Sequence, residues 1–214
     1  MTGPQQTIEF ADGVAGQSFA PAPGSAFRCI VADPPWKLPI GKSRTPGNDP
    51  CNPWNFPKYN VRKELQYPQM SVEEICALKV PAEDDAHLYI WTINRYIEET
   101  YAVARAWGFA PSTMLYWLKQ PMGLGLGGAF VPCVEPILFC RRGKLAWKSR
   151  CDRNWWGWPR GEHSAKPEAF QTVVESVSPG PYLEMFARRK RHGWASWGNE
   201  IANDVEMPND KLSD

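Results

Sequence analysis

The stretch Phe27-Arg-Cys-Ile-Val-Ala-Asp33-Pro34-Pro35-Trp36 decides how this chain is read. Phe27–Ala32 is a short apolar run closed by an acid and two prolines, the pattern of a buried strand feeding a rigid loop. The prolines fix φ at successive positions and remove two backbone donors, so the carbonyls around them remain as acceptors. A carboxylate, a proline carbonyl and the face of Trp36 then project from one point. This combination suits an exocyclic amine on a flat base. Its two hydrogens need two acceptors, and its ring needs a stacking surface. The lone pair of such an amine is delocalised into the ring. Two acceptors at Asp33 and Pro34 favour the pyramidal, attack-ready form by positioning and electrostatics, with no metal required. Taken alone, the tetrapeptide reads as a Pro-stiffened strand end with a solvent-facing Asp, because short motifs have many false matches; its position directly after a buried strand favours function.

The rest of the chain supplies the context. Ser71-x-x-Glu74 after Pro68 is a capping box and starts a short helix. His87–Thr92 reads as a second strand. Ile97, Tyr101, Ala104 and Trp107 fall on one helical face, and Gly108 ends that helix. Thr113–Lys119 and Pro136–Cys140 read as further strands. Phe170, Val173, Val174 and Val177 repeat at helical spacing, with Pro167 placed at the first helical position and Lys166 at the cap. Tyr182–Ala187 and Trp194–Trp197 read as the last strands. Strands alternating with helices predict an open α/β sheet, in which ligands bind beyond the carboxyl ends of the strands. Residues 1–25 read as a flexible arm, 26–200 as one domain and 201–214 as an acidic tail. Residues 37–69 read as a long loop.

At 214 residues the chain can bury one sizeable core. Hydrophobic residues at 43% exclude a mainly disordered chain. No apolar run approaches the roughly 18 residues of a membrane span. The first residues, MTGPQQTIEF, lack the regions of a signal peptide. Six cysteines without a C-x-x-C pair, and three scattered histidines, fit reduced thiols better than disulfides or a zinc site. The net charge of +1 hides opposed segments. Arg141–Lys166 holds eight basic and two acidic residues, and Arg188–Arg191 adds four basic ones, compatible with one basic face.

Two further segments invite functional readings. Gly123-x-Gly125-x-Gly127-Gly128 lacks the strand–loop–helix setting of a dinucleotide fingerprint and reads as a loop that could touch substrate. Lys144–Lys166 interleaves Trp147, Lys148, Arg150, Arg153, Trp155, Trp156, Trp158 and Arg160 without a period of 2 or 3.6. Aromatics and cations in a loop fit stacking on bases and pairing with phosphates. A Trp-rich loop packed over the core, with its charges solvated, is the other reading.

IVADPPW, YPQMSVEEICAL, LYIWTINRYIEETYAVARAWGF, LYWLK, HSAKP and SPGPYLEMFARRKRHGWASWGNE, in that order from Phe27 to Glu200, resemble the MT-A70 family of S-adenosylmethionine-dependent adenine N6-methyltransferases. The resemblance implies a single Rossmann-like class I methyltransferase domain in which the catalytic motif precedes the cofactor motif, a permuted order. It implies that Asp33, Pro34, Pro35 and Trp36 are the catalytic tetrapeptide. Asp33, Lys166, Phe186, Arg188, Asn199 and Glu200 would hold S-adenosylmethionine, the last two at the ribose hydroxyls. Glu200 can accept from two hydroxyls, and Asn199 offers donor and acceptor. A lysine beside a helix N-terminus makes a carboxylate site. Trp36 and Tyr67, with Lys148, Arg150, Arg153 and Arg160, would meet the substrate. The acidic residue that reads the cofactor's adenine in many members has no clear match here.

The expected activity is methyl transfer to adenine N6 in nucleic acid, DNA preferred because the compact chain looks like prokaryotic or phage members. RNA methylation and a non-catalytic nucleic-acid-binding role are the alternatives. The expected setting is the cytoplasm of a bacterial or phage-infected cell.

Overall fold

In the computed structural model, residues 26–37, 68–120, 132–161 and 165–207 are described. The ordered elements are β1 (Phe27–Ala32), α1 (Val72–Ala77), β2 (Ala82–Trp91), α2 (Ile97–Ala106), β3 (Ala110–Gln120), β4 (Val134–Arg142), β5 (Trp155–Pro159), α3 (Glu168–Val177), β6 (Tyr182–Met185) and β7 (Trp194–Trp197). The strands form one seven-stranded sheet in the order β5-β3-β4-β2-β1-β6-β7. β1 pairs parallel with β2 and β6, β6 with β7, and β3 with β5. β4 pairs antiparallel with both neighbours. Six strands therefore run one way, and their carboxyl ends share an edge with the amino end of β4.

Alternation along the central strands builds two cores. Ile30, Ala32, Leu88, Ile90, Leu138 and Cys140 face one side and join the cluster that includes Val103, Ala104 and Trp107 of the α2 segment. Cys29, Val31, Tyr89, Trp91, Trp117 and Ile137 face the other side and meet Phe170 and Val174 of α3. Successive strand residues point to opposite faces, so six consecutive buried residues in β2 serve both cores.

Local signals place the helices. The Ser71 hydroxyl accepts from Glu74 N at 3.2 Å, and the Glu74 carboxylate accepts from Ser71 N at 2.6 Å, the reciprocal capping expected. α2 ends at Gly108, whose φ of +79° suits a residue without Cβ. Trp107 Nε1 donates to Ile75 O at 2.9 Å and ties α2 to α1.

Several boundaries differ from the sequence reading. The Lys144–Lys166 segment is not wholly loop: Trp155–Pro159 pairs with β3 as β5. Five residues are too few to establish a period against the surrounding charges. β2 begins at Ala82, well before His87, because its polar first half extends the ladder past the core. The cap of α3 is Pro167 itself, with φ −66° and ψ 129°, so Lys166 precedes the cap. The expected acidic tail at first returns to the domain: Asp204 Oδ2 accepts from Ser196 N at 3.0 Å, and Met207 is buried. The arm 1–25, the loop over 38–67 with Tyr67, the glycine-rich Gly123–Gly128 and residues 208–214 lie outside the described residues.

Candidate active site

Asp33 is the first residue past β1 and therefore stands at the carboxyl edge of the sheet. The turn after it is tightly tied. Trp36 N donates to Pro34 O at 2.8 Å, and Met70 N to Pro35 O at 2.9 Å. Each of these carbonyls accepts one backbone bond, so Pro34 O, the one next to Asp33, has a second lone pair for a further donor. Trp36 departs from expectation. Its ring is buried, stacks on Tyr96 at 5.1 Å, and donates from Nε1 to Trp91 O at 3.2 Å. Packed so, it anchors the turn and offers no open face to a base.

Beside Asp33 lies a small cavity of about 90 Å³ that is also lined by Lys166, Phe186, Arg188, Gln171 and Glu184. Lys166 Nζ sits 2.8 Å from Asp33 Oδ2, 3.6 Å from a Glu135 oxygen and 5.3 Å from the centre of the Trp91 ring. Glu135 in turn pairs with Lys119. Charges therefore alternate Lys119, Glu135, Lys166, Asp33 across β3, β4, the α3 entry and β1. Burial works against the Lys166 ammonium, but the Asp33 and Glu135 carboxylates outweigh it and hold the pKa above the usual lysine value. Arg189 donates to Lys166 O at 3.1 Å and pairs with Glu168 at 2.9 Å, which fixes the approach to α3.

Further features of this pocket depend on the fold rather than on any local motif. Phe186, at the end of β6, has φ +63°, a left-handed conformation uncommon without glycine. Its ring packs edge-on against Trp197 at 5.3 Å. Gly198, at the end of β7, runs so close to β6 that a Cβ would lie 2.1 Å from Ala187 O. Glu184 aligns with Val31 in the β1–β6 register and accepts from Gln171 Nε2 at 2.5 Å. Burial, reinforced by the Asp33 charge, raises its pKa to about 7 against the partial opposition of Arg189, Gln171 and Arg191. Period-2 alternation on β6 places Glu184 on the α3 side of the sheet, but Y-L-E-M carries no sign that its acid is enclosed. Glu135 begins a strand beside a proline, and no sequence signal pointed to it.

The structure brings Asp33, Lys166, Phe186 and Arg188 around one cavity. Glu200 joins them through Arg188 at 3.7 Å, and exposed Asn199 sits beside it at the end of β7. Arg160 follows β5 on the same edge, its N donating to Gln120 O at 3.0 Å. Lys148, Arg150 and Arg153 are elsewhere. Lys148 Nζ donates to Glu175 O at 3.1 Å and Tyr182 OH at 2.9 Å, toward the amino end of β6. Arg150 and Arg153 line a second cleft over β3 and β4. The basic run Arg188–Arg191 does not make a free cationic face. Its members pair with Glu200, Glu168, Asp204 and Glu175.

A mixed seven-stranded sheet with helices on both faces is a Rossmann-like α/β domain, consistent with a methyltransferase fold, and an acid, a lysine and a strained aromatic meet at its carboxyl edge. The family model described as MT-A70 matches residues 27–123. Type II methyltransferase M.MunI of a Mycoplasma species is 28% identical over 89% of this chain and 84% of its own length. N(6)-adenine-specific methyltransferase METTL4 of Mus musculus is 25% identical over 86% of the chain but only 39% of its own length. A putative N(6)-adenosine-methyltransferase MT-A70-like protein of Medicago truncatula is 25% identical, with 82% of this chain and 26% of its own length covered. The chain is similar to the MT-A70 family over residues 27–123. It spans most of the mycoplasmal relative and well under half of these two eukaryotic ones. No helix among the described residues is long and apolar enough to cross a membrane.

Proposed function

We propose that this chain transfers a methyl group from S-adenosylmethionine to the N6 amine of adenine in nucleic acid, with DNA the preferred substrate. The observation that carries the proposal is that Asp33, at the head of the Pro34-Pro35 turn, lines the same cavity as Lys166 and Phe186 and pairs with Lys166. The residues present fit the cofactor. Lys166 offers an ammonium to a carboxylate, Asp33 and Glu184 offer carboxylates to an ammonium, and Glu200 offers acceptors to ribose hydroxyls. The cavity at Asp33 presents both charge signs that the cofactor's amino-acid end needs, and Arg188, Asn199 and Glu200 extend the site toward β7. When bound, S-adenosylmethionine supplies an electrophilic methyl group.

The chain's own part is to hold the amine. Lys166 engages Asp33 Oδ2, which leaves Oδ1 to accept one amine hydrogen. The free lone pair of Pro34 O accepts the other. Anchored by buried Trp36 and by the Met70–Pro35 bond, both acceptors are preorganised at the moment of attack. An adenine within a duplex must leave the stack to reach this turn. The DNA preference draws support from the match to a type II methyltransferase over nearly the full length of both chains. We read the order as permuted, since the β1 motif precedes β6 and β7, whose ends carry the cofactor positions. The test is incubation with labelled S-adenosylmethionine and matched DNA and RNA oligonucleotides, single-stranded and duplex, then nucleoside identification. N6-methyladenine from DNA is the expected product; faster labelling of RNA reverses the substrate preference, and labelling of neither rejects the proposal.

A further inference from the structure

The geometry points to a second nucleic-acid subsite: a cleft over β3 and β4 that takes an unpaired nucleobase of the strand flanking the target adenine. The inference rests on the proposed function and extends it away from Asp33. The cleft has a volume of about 590 Å³, within the usual range of ligand pockets. Its walls include Tyr89, Phe139, Trp147 and Trp156, and Arg150 and Arg153 also line it. Trp147 is 53% exposed, so an aromatic large enough to bind a base is left open to solvent. Arg141 lies over its ring at 5.3 Å and sets its orientation. Trp156 is fixed by stacking on Trp158 at 5.5 Å and 6°. Two oriented indoles make a stacking site at low entropic cost, and any base can use it because every base has a π-face.

Charge selects the occupant. Arg141–Arg153 contains six basic residues and one acid, a net +5. Its only acid, Asp152, pairs with neighbouring Arg153 in a largely exposed contact that a phosphate can displace. Apolar walls lined with arginines match bases and phosphates, whereas a protein partner would need acids facing the same arginines. The cleft also lies beside the reaction site. Tyr89 lines the cleft and Trp91 lines the Asp33 cavity. These residues are two apart on one face of β2, about 7 Å along the strand. Phe170 of α3, itself buried, touches both rings and separates the two sites from beneath. The short separation along β2 puts the cleft within reach of a base flanking a target adenine held at Asp33.

The test compares two single-stranded oligonucleotides with a central adenine, one trimmed to its immediate neighbours and one with long flanks. Binding is read by fluorescence anisotropy for wild type, Trp147→Ala and the double variant Arg150→Gln/Arg153→Gln. For the long oligonucleotide, Trp147→Ala weakens binding about tenfold, the loss of one stacked base. The double variant lowers the slope of log K against log salt by about 1.4, as two lost phosphate contacts require on a single strand. Binding of the trimmed oligonucleotide and cofactor affinity by calorimetry stay at wild-type values. Equal affinities of all three proteins for the long oligonucleotide overturn the inference. So does a shift in sedimentation on Trp147→Ala, which assigns the cleft to contact between copies. If wild type methylates neither oligonucleotide, the catalytic reading fails, and anisotropy still decides the cleft.

Discussion

Glu184→Gln should stabilise the protein at neutral and alkaline pH and leave it unchanged in acid. Glu184 lies on the α3 side of β6, bonded to Gln171 and under the influence of Asp33, Arg189 and Arg191. Its pKa rises from 4.5 to about 7 on folding. Between those values the folded chain holds a proton that the unfolded chain has released, so stability falls as pH rises through this window. The full penalty applies above pH 7. A shift of 2.5 units corresponds to about 3 kcal/mol, an upper figure for a group that is not completely enclosed. Glutamine occupies the same volume, still accepts from Gln171 and carries no charge to desolvate. The assay is urea unfolding of both proteins across pH 4.5 to 8, read by tryptophan fluorescence. The two midpoints should coincide at the acid end and separate progressively, with the variant ahead by up to about 3 kcal/mol at pH 8. Parallel pH profiles for the two proteins would refute the placement of Glu184 as an enclosed carboxyl.

Three further outcomes follow from the same geometry. Trp36→Ala removes a buried ring stacked on Tyr96 and should cost about 3–5 kcal/mol in chemical denaturation, whereas an open stacking platform would cost far less. Ser178→Ala strands both His87 Nδ1 and Tyr89 OH, each 2.8 Å from the hydroxyl, so it should cost about 1–3 kcal/mol in melting experiments and leave turnover intact. Lys166→Met removes the cation between Asp33 and Glu135 and should weaken cofactor binding by about 10- to 100-fold in calorimetry, with the fold retained by circular dichroism.

Much of the fold was legible because its signals are local. The Ser71–Glu74 box, Gly108 and the Phe170–Val177 periodicity each act within a few residues, and the apolar run before Asp33 announces its own burial. The placement of the candidate site residues was legible where they follow strands: Asp33, Phe186, Arg188, Asn199 and Glu200 all do. What escaped depends on distant pairing. Glu135 gains meaning only when β4 reverses and brings it to Lys166. Glu184 is titratable near neutrality only because α3 and β1 enclose it. Trp36 looked like a ligand face because nothing in D-P-P-W shows Tyr96 stacking on it from beyond β2. Arg188–Arg191 looked cationic until α3 and the residues after β7 supplied an acid for each. Arg150 and Arg153 were correctly seen among aromatics, but their place around a separate cleft follows from β5 pairing with β3.

The central claim is that Asp33 holds the amine that receives the methyl group. Its most direct measurement is methyl transfer to an adenine-containing oligonucleotide by wild type and Asp33→Ala, with the nucleoside identified by mass spectrometry and cofactor binding followed by calorimetry. The wild type should yield N6-methyladenine, and the variant none, while cofactor binding is partly kept through Lys166, Arg188 and Glu200. An Asp33→Ala protein that methylates adenine at the wild-type rate would contradict the account.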